Sequence, residues 1–212
     1  MAWLRIKPIR IRSWFPPHEP IAGMIAKLCI LREDLLLEMQ GMAAQHIPKV
    51  DDNTEGYRRL YFWRNHLRTL EETARAFNHL ASDAAFRDAL AREPTVYAAF
   101  NETRRKFNLI SEGYLRRFRN VIGGHVDTPV LKAGLDLIDS RLTGYLQTGD
   151  TKNKIHYRFA SELILAALAH SMNEAGKVDV EAIVGECAEL LGNVWPILDD
   201  LIACYAAERR LS

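Results

Sequence analysis

Hydrophobic side chains recur every three or four residues along most of the chain, a spacing that places them on one face of an α-helix. Such runs occupy residues 21–39, 57–80, 94–122, 130–146, 156–169 and 180–205. Between the second and third runs, Ser82 or Asp83 can cap a short helix, and Pro94 suits the first position of the next one. The pattern predicts an all-α helical bundle that ends in a long C-terminal helix.

The first 19 residues follow a different pattern, because apolar and basic side chains alternate there with a period of two. The basic residues are Arg5, Lys7, Arg10 and Arg12. We therefore expect two parts, an extended basic arm over residues 1–19 and a single helical-bundle domain over residues 20–212. The arm is either a strap lying on the helical body or an RNA-contacting segment that uses the rings of Trp14 and Phe15.

The run over residues 180–205 keeps its steps of three and four residues without interruption from Val180 to Tyr205. Such a regular apolar seam is typical of a helix packed along its whole length against other helices. The seam either belongs to the protein's own bundle or forms the contact of a dimer.

The composition is that of an ordinary globular protein. The chain has 212 residues, 48% of them hydrophobic and 26% charged, with a formal net charge of +1. A charge so close to zero disfavours capture of nucleic acid by the whole surface and leaves only local basic clusters as candidates. The apolar runs are far shorter than the roughly 20 residues of a membrane span, and the three cysteines show no paired spacing. We therefore expect a cytoplasmic protein that spans no membrane.

Several kinds of enzyme site find no support in the sequence. There is no glycine-rich loop ending in Gly-Lys-Ser or Gly-Lys-Thr, no Gly-x-Ser-x-Gly and no dinucleotide fingerprint after a strand. The seven histidines are never three or four residues apart, as two metal ligands on one helix face would be. We expect neither a metal site nor a cofactor.

The end of the run over 94–122 carries the most informative chemistry, because residues 119–125 read Arg-Asn-Val-Ile-Gly-Gly-His. Arg119 offers a phosphate clamp, Asn120 a carboxamide and His125 a ring that titrates near neutral pH. An unbroken helix would rotate His125 some 120° away from Arg119, onto the apolar face. The glycine pair 123–124 predicts that the helix ends or distorts there and turns the ring towards Arg119.

This motif resembles the signature of the HEPN superfamily, in which an arginine and a polar residue are followed by a histidine a few positions later. Arg119, Asn120 and His125 match it. The resemblance implies a HEPN-like helical core and a metal-independent endoribonuclease of a toxin–antitoxin or phage-defence system. It further implies RNA as substrate, a homodimer that completes the site, and an antitoxin or defence protein as partner. Arg119 would hold the scissile phosphate, Asn120 would orient it, and His125 would transfer protons during 2′-hydroxyl transesterification.

A basic cluster near the motif is the candidate track for the flanking RNA phosphates. Its members are Arg104, Arg105, Lys106, Arg116 and Arg117. The alternative is that these side chains form an ordinary solvated helix face without a ligand.

A non-catalytic HEPN-like adaptor that binds a protein partner or a nucleotide is the main alternative function. In that case His125 is buried at a helix end, and Arg119 pairs with Glu112 or Glu102 on its own helix. An enzyme instead requires Arg119 and His125 to face one open cleft.

A small-molecule sensor is a third hypothesis from a different class. Its ligand pocket would be lined by aromatic side chains such as Trp63 and Tyr114.

Overall fold

The computed structural model describes residues 9–43, 52–120, 128–144, 146–147, 156–157, 159–174 and 180–210. Its helices are α1 (Ile11–Trp14), α2 (Pro20–Ala43), α3 (Asp52–Ser82), α4 (Ala84–Leu90), α5 (Pro94–Ile110), α6 (Arg116–Phe118), α7 (Thr128–Leu135), α8 (Ala160–Glu174) and α9 (Val180–Arg210). A π-helical segment, Ser111–Leu115, joins α5 to α6, and β1 (Leu146–Gln147) pairs antiparallel with β2 (His156–Tyr157). The protein is an all-α helical bundle with a long C-terminal helix, as the sequence predicts.

The hydrophobic core lies between α2, α3, α5 and α9. Its fully buried large side chains are Ile25, Leu28, Leu35, Leu67, Leu70, Phe77, Leu80, Phe100, Phe107, Leu115 and Phe118. The ring of Phe77 on α3 meets both Phe100 and Phe107 of α5 at centroid separations of 5.1 and 5.5 Å. These side chains occupy the periodic positions of the sequence, so the predicted apolar faces of α2, α3 and α5 are confirmed.

Local signals set the ends of α4 and the start of α5. The Asp83 side chain accepts a hydrogen bond of 2.8 Å from the backbone N–H of Phe86, which is the bond expected of a helix cap. Pro94 is the first residue of α5, where its missing N–H costs no helical hydrogen bond. Both predictions from the sequence are confirmed.

The predicted regular helix over 94–122 is wrong at two places, because residues 111–115 and also Arg119 and Asn120 adopt the wider π-helical turn. The hydroxyl of Ser111 donates a hydrogen bond of 2.5 Å to Glu71 of α3 at the start of this turn. A π turn contains about one residue more than an α-helical turn, so every side chain after it is rotated relative to α5. Arg116 and Arg119 consequently face a different direction from the one expected for a regular helix.

The region between α7 and α8 also differs from the prediction of helices over 130–146 and 156–169. Helix α7 ends at Leu135, and the Asp139 side chain then accepts a bond of 2.9 Å from the backbone N–H of Arg141. This local bond stabilises a turn in place of a further helical turn. Leu146 then pairs with Tyr157 in the two-residue ribbon, so α8 begins only at Ala160.

The predicted extended arm is corrected over residues 11–14, which form the single helical turn α1. The hydroxyl of Tyr205 in α9 donates a 2.6 Å hydrogen bond to the carbonyl oxygen of Trp14. Phe15 stacks on the Tyr205 ring at 5.8 Å with an interplanar angle of 6°. The described part of the arm therefore lies on the bundle as a strap, and residues 1–8 lie outside the described residues.

Helix α9 carries the predicted apolar seam. Within the described chain, Gly185–Ala207 is the one segment long and apolar enough to cross a membrane by length and composition. Its Val194 and Leu198 are completely buried, and Asp199 accepts a bond of 3.1 Å from Arg32 of α2. These contacts are typical of a core helix in a bundle.

Candidate active site

Arg119 and Asn120 lie at the end of the helical column formed by α5, the π segment and α6. The Arg119 side chain is 31% exposed, and its Nη1 lies 3.4 Å from Oδ1 of the exposed Asn120. The third motif residue, His125, and the glycine pair 123–124 lie outside the described residues. Their placement relative to Arg119, including the predicted helix distortion, stays a prediction.

The main partner of Arg119 is a carboxylate on another helix. Its Nη2 lies 3.1 Å from Oε1 of Glu72 in α3, and Nζ of Lys27 in α2 lies 3.3 Å from Oε2 of the same carboxylate. The expected pairing of Arg119 with Glu112 or Glu102 is therefore not found, because the π turn rotates Arg119 towards α3. One carboxylate holds two cations from different parts of the chain.

The neighbouring residue, Glu71, forms a second set of contacts. Its carboxylate is 1% exposed and accepts the short bond from Ser111 and a 3.1 Å bond from Nε of Arg75. Nε of Arg116 lies 3.9 Å from the same carboxylate oxygen that Arg75 contacts. Because the partners are charged or donate to a charge, these bonds are stronger than neutral ones. They fix α3 against the π segment.

Together these contacts define a surface that we call the α3 cationic cluster. It consists of Lys27, Arg75, Arg116 and Arg119 around Glu71 and Glu72. Four positive charges surround two negative ones, so the cluster carries a net positive charge. Lys27 and Arg75 are absent from the sequence-predicted site, because only the packing of α2 and the π segment on α3 brings them beside the motif.

The sequence-predicted RNA track is divided between different surfaces. Arg105 pairs with Glu102 on its own helix at 2.8 Å, and Lys106 reaches Glu189 of α9 at 3.2 Å. Nε of Arg117 donates a 3.1 Å hydrogen bond to Ser171 of α8, and Arg104 is half-buried on α5. Of the five predicted cations, Arg116 is the one that the structure brings into the α3 cationic cluster.

A further polar group is buried between α2 and α3, further from the motif. Nδ1 of His66 lies 3.2 Å from Oε2 of Glu38, whose other oxygen accepts a 2.7 Å bond from the hydroxyl of Thr69. Nε2 of His66 has no hydrogen-bond partner among the described residues. The contacts that are present hold the two helices together.

Cys187, Tyr114 and Trp63 pack into the hydrophobic core. Burial raises the pKa of the Cys187 thiol to about 11, so this thiol is protonated and weakly nucleophilic at neutral pH. Tyr114 and Trp63 pack on Phe118 at centroid separations of 5.6 and 6.4 Å. Close packing of these rings disfavours the pocket expected for the sensor hypothesis.

Two other features of the described residues bear on a ligand site: their metal-ligating side chains and a cavity between three helices. No cluster of three or more His, Cys, Asp or Glu side chains suited to a metal occurs within the described ranges. A cavity of about 500 Å³ opens between the start of α2, α4 and the end of α9, with Ile25, Phe86, Leu90 and Leu201 among its lining residues. It contains none of the predicted site residues.

Comparisons with known proteins identify no family for this chain. No protein-family model matches the chain, and neither the comparison with curated proteins nor the one with solved structures gave a match. The class of the protein is therefore defined by its own fold and site, an all-α helical bundle with a net positive surface beside Arg119 and Asn120.

Proposed function

We propose that this protein is a metal-independent endoribonuclease of the HEPN type, cytoplasmic and acting as a homodimer in a toxin–antitoxin or phage-defence system. The observation that carries the proposal is the accessible Arg119–Asn120 pair within a net positive surface, in a chain whose sequence places His125 shortly afterwards. An arginine, a carboxamide and a titratable ring are the groups that metal-free RNA cleavage requires. An antitoxin or defence protein is the proposed partner.

In the proposed mechanism, Arg119 binds the scissile phosphate and stabilises the negative charge that develops on its oxygens. Asn120 orients the phosphate through its amide. His125 takes the proton from the ribose 2′-hydroxyl, whose oxygen attacks the phosphorus, while the 5′-oxygen leaves with a proton. The products are a 2′,3′-cyclic phosphate and a 5′-hydroxyl end. Two motifs across a dimer would let one histidine act as base and the other as acid.

The experiment that tests this function is cleavage of structured RNA by the purified protein in EDTA. We expect cleavage to persist and to leave a 2′,3′-cyclic phosphate. His125→Ala should lower kcat/KM by about 10²- to 10⁴-fold, the usual contribution of general acid–base catalysis. Arg119→Lys should be nearly as harmful as Arg119→Ala, because an ammonium group cannot reproduce the planar guanidinium fork.

Matched controls separate catalysis from folding. His79 is exposed on α3, so His79→Ala should keep full activity. Sedimentation should show a dimer at micromolar concentration. Cleavage that disappears in EDTA, or that survives both His125→Ala and Arg119→Ala, would refute the proposed site.

A non-catalytic adaptor is the second candidate, and one specific observation favours it. Arg119 already has an internal anion, since Glu72 lies 3.1 Å from its guanidinium. In an adaptor this ion pair is structural, and its role is to hold α3 to α6. For that function we expect wild-type protein without RNase activity and Arg119→Ala with lowered thermal stability.

A further inference from the structure

The α3 cationic cluster contains two cations that the motif does not explain. Lys27 belongs to α2 and Arg75 to α3, yet both contact the same pair of consecutive carboxylates as Arg116 and Arg119. The four side chains come from three separate stretches of the chain. Their common location is therefore a product of the fold.

Three of the four cations remain largely accessible to solvent beside their carboxylates. Arg75 and Arg116 both approach one oxygen of Glu71 through Nε, so their terminal guanidinium nitrogens are not engaged by that carboxylate. The side chains of Lys27, Arg75 and Arg116 are 48%, 46% and 64% exposed. The cations are thus oriented by buried or half-buried anions and remain accessible to solvent.

The charge balance separates this surface from the other ion pairs around α5. Arg105 is matched one-to-one by Glu102, and Lys106 by Glu189. In the α3 cationic cluster two carboxylates face four cations, and Arg119 of the proposed site is one of them. Excess positive charge, held in place and exposed, attracts the phosphates of a nucleic-acid backbone.

We infer that the α3 cationic cluster is the surface that binds the backbone phosphates of RNA next to the cleavage site, with Lys27 and Arg75 contacting phosphates that flank the one on Arg119. This inference rests on the proposed ribonuclease function and identifies where its substrate lies. It places the track on the α2–α3 side of the π segment and away from Arg105 and Lys106.

The test is binding of a fluorescent 2′-O-methyl RNA oligonucleotide, which cannot be cleaved because its 2′-oxygens are blocked. Anisotropy titrations between 50 and 200 mM salt give the slope of log K against log salt. Each lost phosphate contact should reduce that slope by about 0.7, so the wild type should lose about 2- to 3-fold more affinity than the variant over this range. We expect this change for Lys27→Ala and for Arg75→Ala.

Two further variants keep the outcome specific to this surface. Arg105→Ala removes an arginine of α5 that is more exposed than Lys27 or Arg75, and it should leave the slope unchanged. Arg75→Lys retains the charge and should keep most of the slope, whereas a general folding defect would affect it as much as Arg75→Ala.

Measurements of RNA cleavage and of the salt slope together distinguish a wrong binding surface from a wrong ribonuclease function. If the wild type cleaves RNA but Lys27→Ala and Arg75→Ala keep the wild-type slope, the inferred surface is wrong and the ribonuclease stands. The same conclusion follows if Arg105→Ala alone reduces the slope. If the wild type neither binds nor cleaves RNA, both are refuted.

Discussion

Helices α7 and α8, which follow the motif along the chain, approach each other closely at Gly134, and this contact can be tested by substitution. A Cβ atom on Gly134 of α7 would lie 2.7 Å from the backbone nitrogen of Ala167 and 2.8 Å from the carbonyl carbon of Ala166. These are backbone atoms of α8, so they cannot move aside as a flexible side chain could. Gly134→Ala therefore forces the two helices apart.

The expected change in the unfolding free energy of Gly134→Ala is the sum of two opposing effects. Alanine in place of glycine inside a helix stabilises a protein by about 0.5–1 kcal/mol. Overpacking of a close contact costs about 1–3 kcal/mol. We expect Gly134→Ala to lose about 1–2 kcal/mol, which for a chain of this size lowers Tm by roughly 2–8 °C.

The assay is thermal unfolding by circular dichroism, with Gly185→Ala in α9 as the matched control. A Cβ on Gly185 meets no atom within 4 Å, so this variant should gain stability and raise Tm. Equal Tm increases for Gly134→Ala and Gly185→Ala would refute the close approach of α7 to α8.

Three other outcomes follow from the contacts described above. Glu72→Gln should tighten binding of the 2′-O-methyl RNA several-fold in the anisotropy assay, because a neutral amide competes less with phosphate for Arg119; weaker binding would contradict this. The folded Cys187 thiol holds its proton more tightly than the unfolded one, with a pKa of about 11 against 9.0, so its contribution to stability is complete below pH 9 and is lost as the pH rises through 11. Urea unfolding at pH 8 and pH 10.5 should show this decrease, and Cys187→Ala should reduce it. Asp83→Ala should cost about 1 kcal/mol of unfolding free energy through the lost cap bond to Phe86, while Asp83→Asn should cost much less.

The helical bundle and its apolar faces could be predicted because they depend on spacing along the chain. Phe100 and Phe107 of α5 are buried where a helical period places them. The cap at Asp83 and the start at Pro94 were predictable because each depends on residues only a few positions away. Interactions between residues that are close along the chain can therefore be predicted from the sequence.

The surroundings of Arg119 could not be predicted, for two physical reasons. The π turn at Ser111–Leu115 depends on packing against Glu71 of α3, and a strict helical period gives no sign of it. Lys27 lies far from Arg119 along the chain and approaches Glu72 only because α2 packs on α3. The Glu71–Arg75 pair, with its spacing of four residues on α3, was the one contact of this surface that the sequence alone could have indicated.

The strap contact between Trp14 and Tyr205 and the packing of α2 on α9 both join early and late parts of the chain. This arrangement has a consequence for the synthesis of the protein. Helix α2 leaves the ribosome long before α9, whose side chains cover part of its apolar face. At about 5–20 residues per second, translation of the roughly 140 residues between these helices takes on the order of 10–30 s. During that interval α2 can already pack on α3, but the part of α2 that contacts α9 stays uncovered and is open to capture by chaperones. The bundle is therefore completed only when translation of α9 is finished.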